Sequence, residues 1–368
     1  MFPKFHKTPI DFRYIAAGTR SSLKPLSKIL SGVLTLINKF LKSYSNYKFK
    51  FDNTSGYWIV NNKDVVIDHL NFLNNTSKAS SIKSFDFKKL YTNLPHAHVI
   101  TSISELINFT FTQKQMRYIN VSKNFVASWS NKGLGKWAFT NVDLVEMFTF
   151  LIENIYVTFG DMVYRQIIGI PMGSDCAPIV ADLFLFYYEF EYISRKLAMK
   201  DPVICKLRFC GRYIDDLNIP NADNEVINVV VNDIYPKELK IVDTNPSNKL
   251  KSTFLDLEIA VVNNSFSTKL YDKRRDFQFN VISMPNLRSN IPNKQAYGIF
   301  LGELYRIAKS SSVLNDFVVE VKRLLSKLCK QNFNKAILIK NIKKFITSKP
   351  ACLHKFWSNI SVNMFYDI

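Results

Sequence analysis

The apolar pattern of this 368-residue chain changes character once, near position 285. Before that point, short runs with strand-like alternation are interleaved with helical spacings of three and four. After it, only basic amphipathic helices remain, over 297–309, 313–330 and 335–347. Val313, Phe317, Val321, Leu324, Leu325 and Leu328 share one face of the second of these. Such a chain folds as an α+β part followed by an all-α part, and it shows no internal repeat. Hydrophobic residues make up 47% and aromatics 14%, too much apolar material for a disordered chain. The length suits two or three subdomains.

Charge is divided just as unevenly. The net charge is +19, yet residues 52–320 are nearly neutral at +1, while 1–51 carry +9 and 321–366 carry +10 with no acid at all. Basic ends attract a polyanion, either nucleic acid or an anionic membrane surface. An A/T-rich coding sequence would also produce Lys- and Asn-rich ends, and composition alone leaves both readings open. No apolar run of about 18 residues exists to span a membrane, and no hydrophobic stretch opens the chain as a secretory signal. Five cysteines without CxxC or zinc-ligand spacing suit a reducing, intracellular compartment. No GxxxxGK[ST], GxSxG or HExxH motif is present.

Helical spacing is expected over 23–42, 64–75, 96–109, 142–159, from Pro178 to Met199, and over 224–236. Strands are expected at 82–87, 118–128, 135–140, 163–170, 239–243, 253–262 and 266–271, with a hairpin turning at 131–133. The segment 205–221 reads as a hairpin whose two apolar runs are separated by Asp215-Asp216. On its own, that pair is also what an ordinary Asp-rich turn looks like. A third carboxylate, Asp86, follows the apolar run IKSF, and it would converge on Asp215 if the two strands are neighbours. Adjacent carboxylates stay ionised only beside a cation. Mg²⁺ is the expected one, because it takes carboxylate oxygens and keeps positions for phosphates.

These segments fall into a familiar series. KSFDFKKLYTNLP resembles motif A of reverse transcriptases, GIPMGSDCAP motif B, RYIDDL motif C, and FLDLEI the primer-grip motif E. FPKFHK…FRYIAAG at 2–18 resembles the triphosphate-binding fingers motifs. LYTNLP, IPMGSDCAP and SNIPNKQAYGIFLGELYRI are worded most like Penelope-like retroelements, and the resemblance covers about residues 1–310. It implies a right-hand polymerase. Fingers and palm would occupy 1–262, with motif A at 82–95, B at 166–180, C at 209–219 and E at 253–260. A connection over 263–284, a helical thumb over 285–347 and a tail over 348–368 would follow.

The resemblance also implies roles. Asp86, Asp215 and Asp216 would be the catalytic carboxylates, holding two Mg²⁺ ions (or Mn²⁺ in their place) with the carbonyl of Phe87. Lys7 and Arg13 would hold the incoming dNTP triphosphate. Tyr91 would exclude a ribose 2′-OH, although by itself it also reads as a core aromatic. Met172 and Gly173 would lie under the nascent base pair, Gly173 letting the template backbone come close; many reverse transcriptases have Gln at the position of Met172. Lys240 would be the general acid for pyrophosphate. Asp256 and Glu258 read as solvent-side or primer-grip residues. Lys322, Arg323, Lys327, Lys330, Lys340, Lys343 and Lys344 would bind duplex phosphates without reading sequence.

The implied activity is RNA-directed DNA synthesis on an RNA template and DNA primer, in the nucleus, away from membranes. The fingers motifs start almost at residue 1 and no GIY-YIG endonuclease signature is recognisable. An endonuclease-lacking or truncated form is therefore expected, and a catalytically inactive relic that only binds nucleic acid is the alternative.

Overall fold

Two three-residue strands, β1 (Phe2–Lys4) and β2 (Asp11–Arg13), pair antiparallel at the start of the computed structural model. The structure describes residues 2–4, 11–13, 15–16, 18, 21–50, 54–134, 137–277, 279 and 281–366. Helix α1 (Lys24–Lys48) begins with a proline in its first turn, where a missing N–H costs nothing, and buries Leu30, Val33, Leu34, Ile37 and Leu41. The Asn62 side chain caps α2 (Lys63–Thr76). Next come β3 (Ile82–Phe87), the single turn α3 (Leu90–Asn93) and α4 (His96–Lys114). β4 (Tyr118–Val121) is the middle strand between β5 (Ala127–Ser130) and β6 (Ala138–Phe139). A Thr140–Asp143 capping box opens α5 (Asn141–Glu153), and the hairpin β7 (Tyr156–Phe159) and β8 (Met162–Arg165) follows.

Helix α6 (Ala177–Ala198) and the short α7 (Val203–Lys206) lead into the hairpin β9 (Gly211–Tyr213) and β10 (Asp216–Pro220). α8 (Asn224–Asn228) continues into a π-helical turn, Val229–Asp233. β11 (Ile241–Asp243) precedes an antiparallel meander of β12 (Lys251–Phe254), β13 (Leu257–Val262) and β14 (Ser265–Leu270). Helices α9 (Asn293–Ser310), α10 (Leu314–Cys329) and α11 (Lys335–Thr347) complete the order, with two 3-10 turns at Ala351–Phe356 and Val362–Phe365.

The chain divides into two compact units. The first holds Met1–Val60 and Phe85–Thr244, and the second holds Asn61–Ser84 and Asn245–Ile368. In the first, a sheet in the order β11-β3-β10-β9 shares one core with α1, α4, α5 and α6. α6 is apolar almost all round and is buried accordingly, including Val180, Leu183, Phe184, Leu185, Phe186 and Ile193. In the second unit, a separate core gathers Leu270, Phe300, Phe317, Leu325, Leu338 and Phe345. Leu353, Phe356 and Phe365, beyond the last long helix, belong to the same core.

Several elements differ from their sequence expectation, each for a local reason. The apolar stretch 142–159 is not one helix: α5 ends at Glu153, and 156–159 turn back as β7 through the two-residue loop Gly160-Asp161, with Gly160 at φ 61°. The hairpin expected at 131–133 instead turns earlier, between β4 and β5, where Phe125 adopts φ 60°. The strand expected at 253–262 is folded into β12 and β13 across Leu255-Asp256. In 205–221 the two-residue turn is Ile214-Asp215, so Asp216 is the first residue of β10 and pairs with Tyr213. Among the described residues, no helix is long and apolar enough to cross a membrane.

Candidate active site

The site is built on β3. Its sequence, IKSFDF, is buried at every position except Asp86, which is half-buried. A carboxylate on an otherwise buried central strand is costly unless it serves something. β3 has β11 on one side, with Val242 opposite Asp86, and β10 on the other. The Phe87 N–H donates to the Asp215 carbonyl at 3.0 Å. That bond ties the carboxylate strand to the Ile214-Asp215 turn and brings Asp86, Asp215 and Asp216 onto adjacent backbone. Among the described residues, no three His, Cys, Asp or Glu side chains are gathered into a formed metal-binding group.

Ile214 has φ 54°, a left-handed conformation rare for a β-branched residue. Strain of this kind is found where the surrounding structure enforces it, often at functional sites. Lys240 directly precedes β11, is exposed, and its carbonyl accepts from the Lys88 N–H at 2.9 Å. It is therefore at the same end of the sheet as Asp86.

The segment after Asp86 is held to the GIPMG loop. The Ile170 N–H donates to the Tyr91 carbonyl and the Gly169 N–H to the Leu94 carbonyl, both at 2.7 Å. His96 Nε2 donates to the Gly169 carbonyl at 2.7 Å. Gly169, at φ 80°, is required here: a Cβ would fall 2.5 Å from the Tyr91 carbonyl oxygen. Tyr91 is half-buried.

Met172 and Gly173 follow in the same loop, and the Ala16 N–H donates to the Met172 carbonyl at 2.8 Å. At Gly173, φ 122°, a Cβ would fall 2.1 Å from the Ala16 carbonyl oxygen, so the chain's own backbone already requires a glycine there. Arg13 stands on β2, three residues before Ala16, with its side chain outside the described residues; Lys7 lies outside them entirely.

Cys176, just past the loop, bonds to Ser27 and Ser174, and burial pushes its thiol up, so it stays a protonated structural group. A cavity of about 660 Å³ adjoins it, lined by Ile15, Ala16, Leu151, Ile155, Val157 and Cys176 among others.

Sequence reading missed a group of buried charges under the turn. Arg212 on β9 is fully buried and pairs with Asp182 and Glu189 of α6, and the Tyr235 hydroxyl donates to Glu189 at 2.8 Å. The available signal was charge interrupting apolar runs, Asp182 within 179–188 and Arg212 within FCGRYI.

In the second unit, the expected duplex-binding cations separate into two kinds. Lys330, Lys340, Lys343 and Lys344 are exposed and Lys322 is half-buried. Arg323 pairs with the buried Glu320 at 2.6 Å, and Glu320 also receives Arg275. Lys327 donates to Ser283 Oγ at 2.6 Å, and burial lowers its pKa, helped by the nearby Arg274 and Arg275. Arg323, Lys327 and Lys330 line a cavity of about 750 Å³ in this unit; Arg323 stays exposed beside Glu320, and Lys327 is half-buried on Ser283.

Comparison with known proteins returns no matching family model and no matching curated protein. Solved structures do match. The chain superposes on telomerase from Candida albicans, solved with a TWJ fragment of telomeric RNA, at a TM-score of 0.58 and 14% identity, covering 91% of this chain and 54% of that one. Apo telomerase from Candida tropicalis superposes less closely, at 0.46 and 15% identity, over 93% and 55% of the two chains. The chain spans about half the length of the telomerases it matches. The fold is therefore mixed α/β with antiparallel sheets, and it resembles that of the Candida albicans telomerase structure.

Proposed function

We propose that this chain is an RNA-directed DNA polymerase of a Penelope-like retroelement, extending a primer 3′-OH with dNTPs. The observation that carries this reading is the Phe87–Asp215 backbone bond, which aligns the carboxylate of β3 with the paired carboxylates of the β9–β10 hairpin. The polymerase-type fold supports the reaction class, and the RNA held by the Candida albicans telomerase supports an RNA template. The Penelope-like assignment rests on the wording of LYTNLP, IPMGSDCAP and SNIPNKQAYGIFLGELYRI.

Three carboxylates and a strand-end carbonyl are the oxygen donor set that suits Mg²⁺ or Mn²⁺. Asp86, Asp215, Asp216 and the Phe87 carbonyl would hold two such ions. Closing on them falls to side-chain torsions, because the backbone segments are already hydrogen-bonded. When bound, the ions supply charge stabilisation to the attacking 3′-oxygen and the pyrophosphate leaving group. The chain's own residues do the rest. Tyr91 crowds the sugar 2′ position, the Met172-Gly173 loop supports the new base pair, Arg13 and Lys7 hold the triphosphate, and Lys240 donates a proton to pyrophosphate. The first unit would supply fingers and palm; β12–β13 would serve as primer grip and α9–α11 as thumb.

Purified protein given poly(rA)/oligo(dT), dTTP and Mg²⁺ should incorporate nucleotide, and Asp215→Asn should abolish incorporation. Template–primer binding without any extension by the unmodified chain would overturn the polymerase reading and favour the inactive relic.

A further inference from the structure

The turn that presents Asp215 is strained, and something must hold it. Arg212 lies three residues before Asp215 and is fully buried. Each of its five guanidinium N–H groups has an acceptor. Nε donates to Glu189 Oε1, and Nη2 donates to Glu189 Oε2 at 3.2 Å and to the Asp182 carbonyl at 3.0 Å. Nη1 donates to Asp182 Oδ1 at 2.9 Å and to the Ile214 carbonyl at 3.1 Å. The last of these matters most, because Ile214 is the residue at positive φ.

The contacts continue around the site. Glu189 also accepts from the Tyr235 hydroxyl, and the Tyr235 ring packs edge-to-face on Phe87, with centroids 4.8 Å apart. Phe87 neighbours Asp86 and donates its N–H to the Asp215 carbonyl. A closed circuit therefore runs from Arg212 through Glu189, Tyr235, Phe87 and Asp215 to Ile214, and back to Arg212. On its outer side, β9 is pinned by Arg212 N–H to the Trp58 carbonyl at 2.7 Å and by Val60 N–H to the Arg212 carbonyl at 2.8 Å.

A planar fork with five fixed donors suits this task. A lysine ammonium has three donors at one point and cannot reach both carboxylates and the Ile214 carbonyl together. Burying three ionisable groups is costly, so a simple core would have used apolar residues.

We propose that Arg212, with Asp182, Glu189 and Tyr235, is a positioning device that holds the strained Ile214-Asp215 turn so that Asp215 stays in register with Asp86. The inference rests on the polymerase reading of the site, but its test does not.

The variants are Arg212→Lys, the milder Tyr235→Phe, Ile214→Gly, and Arg212→Lys combined with Ile214→Gly. The first readout is amide hydrogen exchange of the peptide spanning 211–217, compared with a peptide inside α1. The second is Mn²⁺ binding followed by electron paramagnetic resonance. Arg212→Lys should speed exchange at 211–217 by about tenfold or more, the range expected when one charged hydrogen bond is lost, with α1 unchanged. It should weaken Mn²⁺ binding in parallel. Tyr235→Phe should act in the same direction and less strongly.

Glycine adopts positive φ without strain. Ile214→Gly should therefore recover part of both losses in the Arg212→Lys background, a coupling that a merely space-filling Arg212 would not give. Unchanged exchange and Mn²⁺ affinity in both Arg212→Lys and Tyr235→Phe, or no recovery by Ile214→Gly, overturns the proposal. If Arg212→Lys does not fold, Tyr235→Phe alone decides by the same criteria. Absence of DNA synthesis by the unmodified chain would defeat the polymerase reading while leaving these readouts intact.

Discussion

Single glycines show how closely the loops around the site are fitted. Gly169 combines φ 80° with backbone atoms of Tyr91 and Thr92 within 3 Å of where a Cβ would stand. Neither neighbour is a flexible side chain that can swing aside. Gly169→Ala should cost about 2–4 kcal/mol, the sum of a left-handed alanine and a backbone clash. Gly160, at φ 61°, meets nothing within 4 Å, so Gly160→Ala should cost only the conformational part, about 1–2 kcal/mol. Gly298 is exposed within α9 with open space around it, and Gly298→Ala should stabilise by about 0.5–1 kcal/mol. Urea denaturation of the three variants should return this order with opposite signs at its ends. Equal effects at Gly169 and Gly160 would show that the loop yields and that the close approach to Tyr91 is not enforced.

At the scale of elements, electrostatics acts through strands as well as helices. Glu258 on β13 lies between Lys251 on β12 and Lys269 on β14, at 3.0 Å from each. Partial burial raises its pKa, but hydrogen bonds from the two lysines outweigh that and the net shift is downward. A depressed carboxylate contributes stability above its unfolded pKa and loses it as pH falls through the folded value. Unfolding free energy should therefore decline below about pH 4.5, the ordinary glutamate range, and Glu258→Gln should flatten that part of the profile while lowering stability at pH 7. Parallel acid-side profiles for the two proteins would refute the assignment.

The same scale explains what could be read in advance. β3 and α2 were legible from their apolar spacing alone, and α6 from an apolar run opened by Pro178 in its first turn. The boundary between α5 and β7 was not, because an apolar stretch such as 142–159 fits either period and only Gly160-Asp161 marks the reversal. Asp86, Asp215 and Asp216 stood out in the sequence as carboxylates among apolar runs, and the Phe87–Asp215 bond places their backbone segments side by side. Arg212, Asp182, Glu189 and Tyr235 did not stand out, because their partnership exists only once α6 lies against β9. The partners of Arg323 and Lys327 were hidden for a related reason: sequence shows a charge but not the buried Glu320 or the Ser283 hydroxyl that it meets.

Across the whole molecule, the two basic ends belong to different units, 1–51 to the first and 321–366 to the second. The second end carries +10 without an acid, yet its cations are not equivalent. On α11, Leu338, Ile339, Ile342 and Phe345 face the core, leaving Lys340, Lys343 and Lys344 exposed on the other side. On helix α10, Arg323 is exposed but paired with the buried Glu320, and the half-buried Lys327 donates to Ser283. Binding of a polyanion releases about 0.7–0.9 counterion per neutralised phosphate, so only the free cations set the salt dependence. Replacing Lys340, Lys343 and Lys344 together by Gln should lower the slope of log affinity against log salt by about 2, with little change in thermal unfolding. Replacing Arg323 and Lys327 by Gln should do the reverse, lowering the unfolding temperature and leaving the slope nearly unchanged. Fluorescence anisotropy of a labelled RNA–DNA hybrid across a salt series, run beside thermal melts, separates the two outcomes. An unchanged slope in the α11 variant would remove that face from the nucleic-acid interface and leave the acid-free charge of 321–366 without a polyanion partner there.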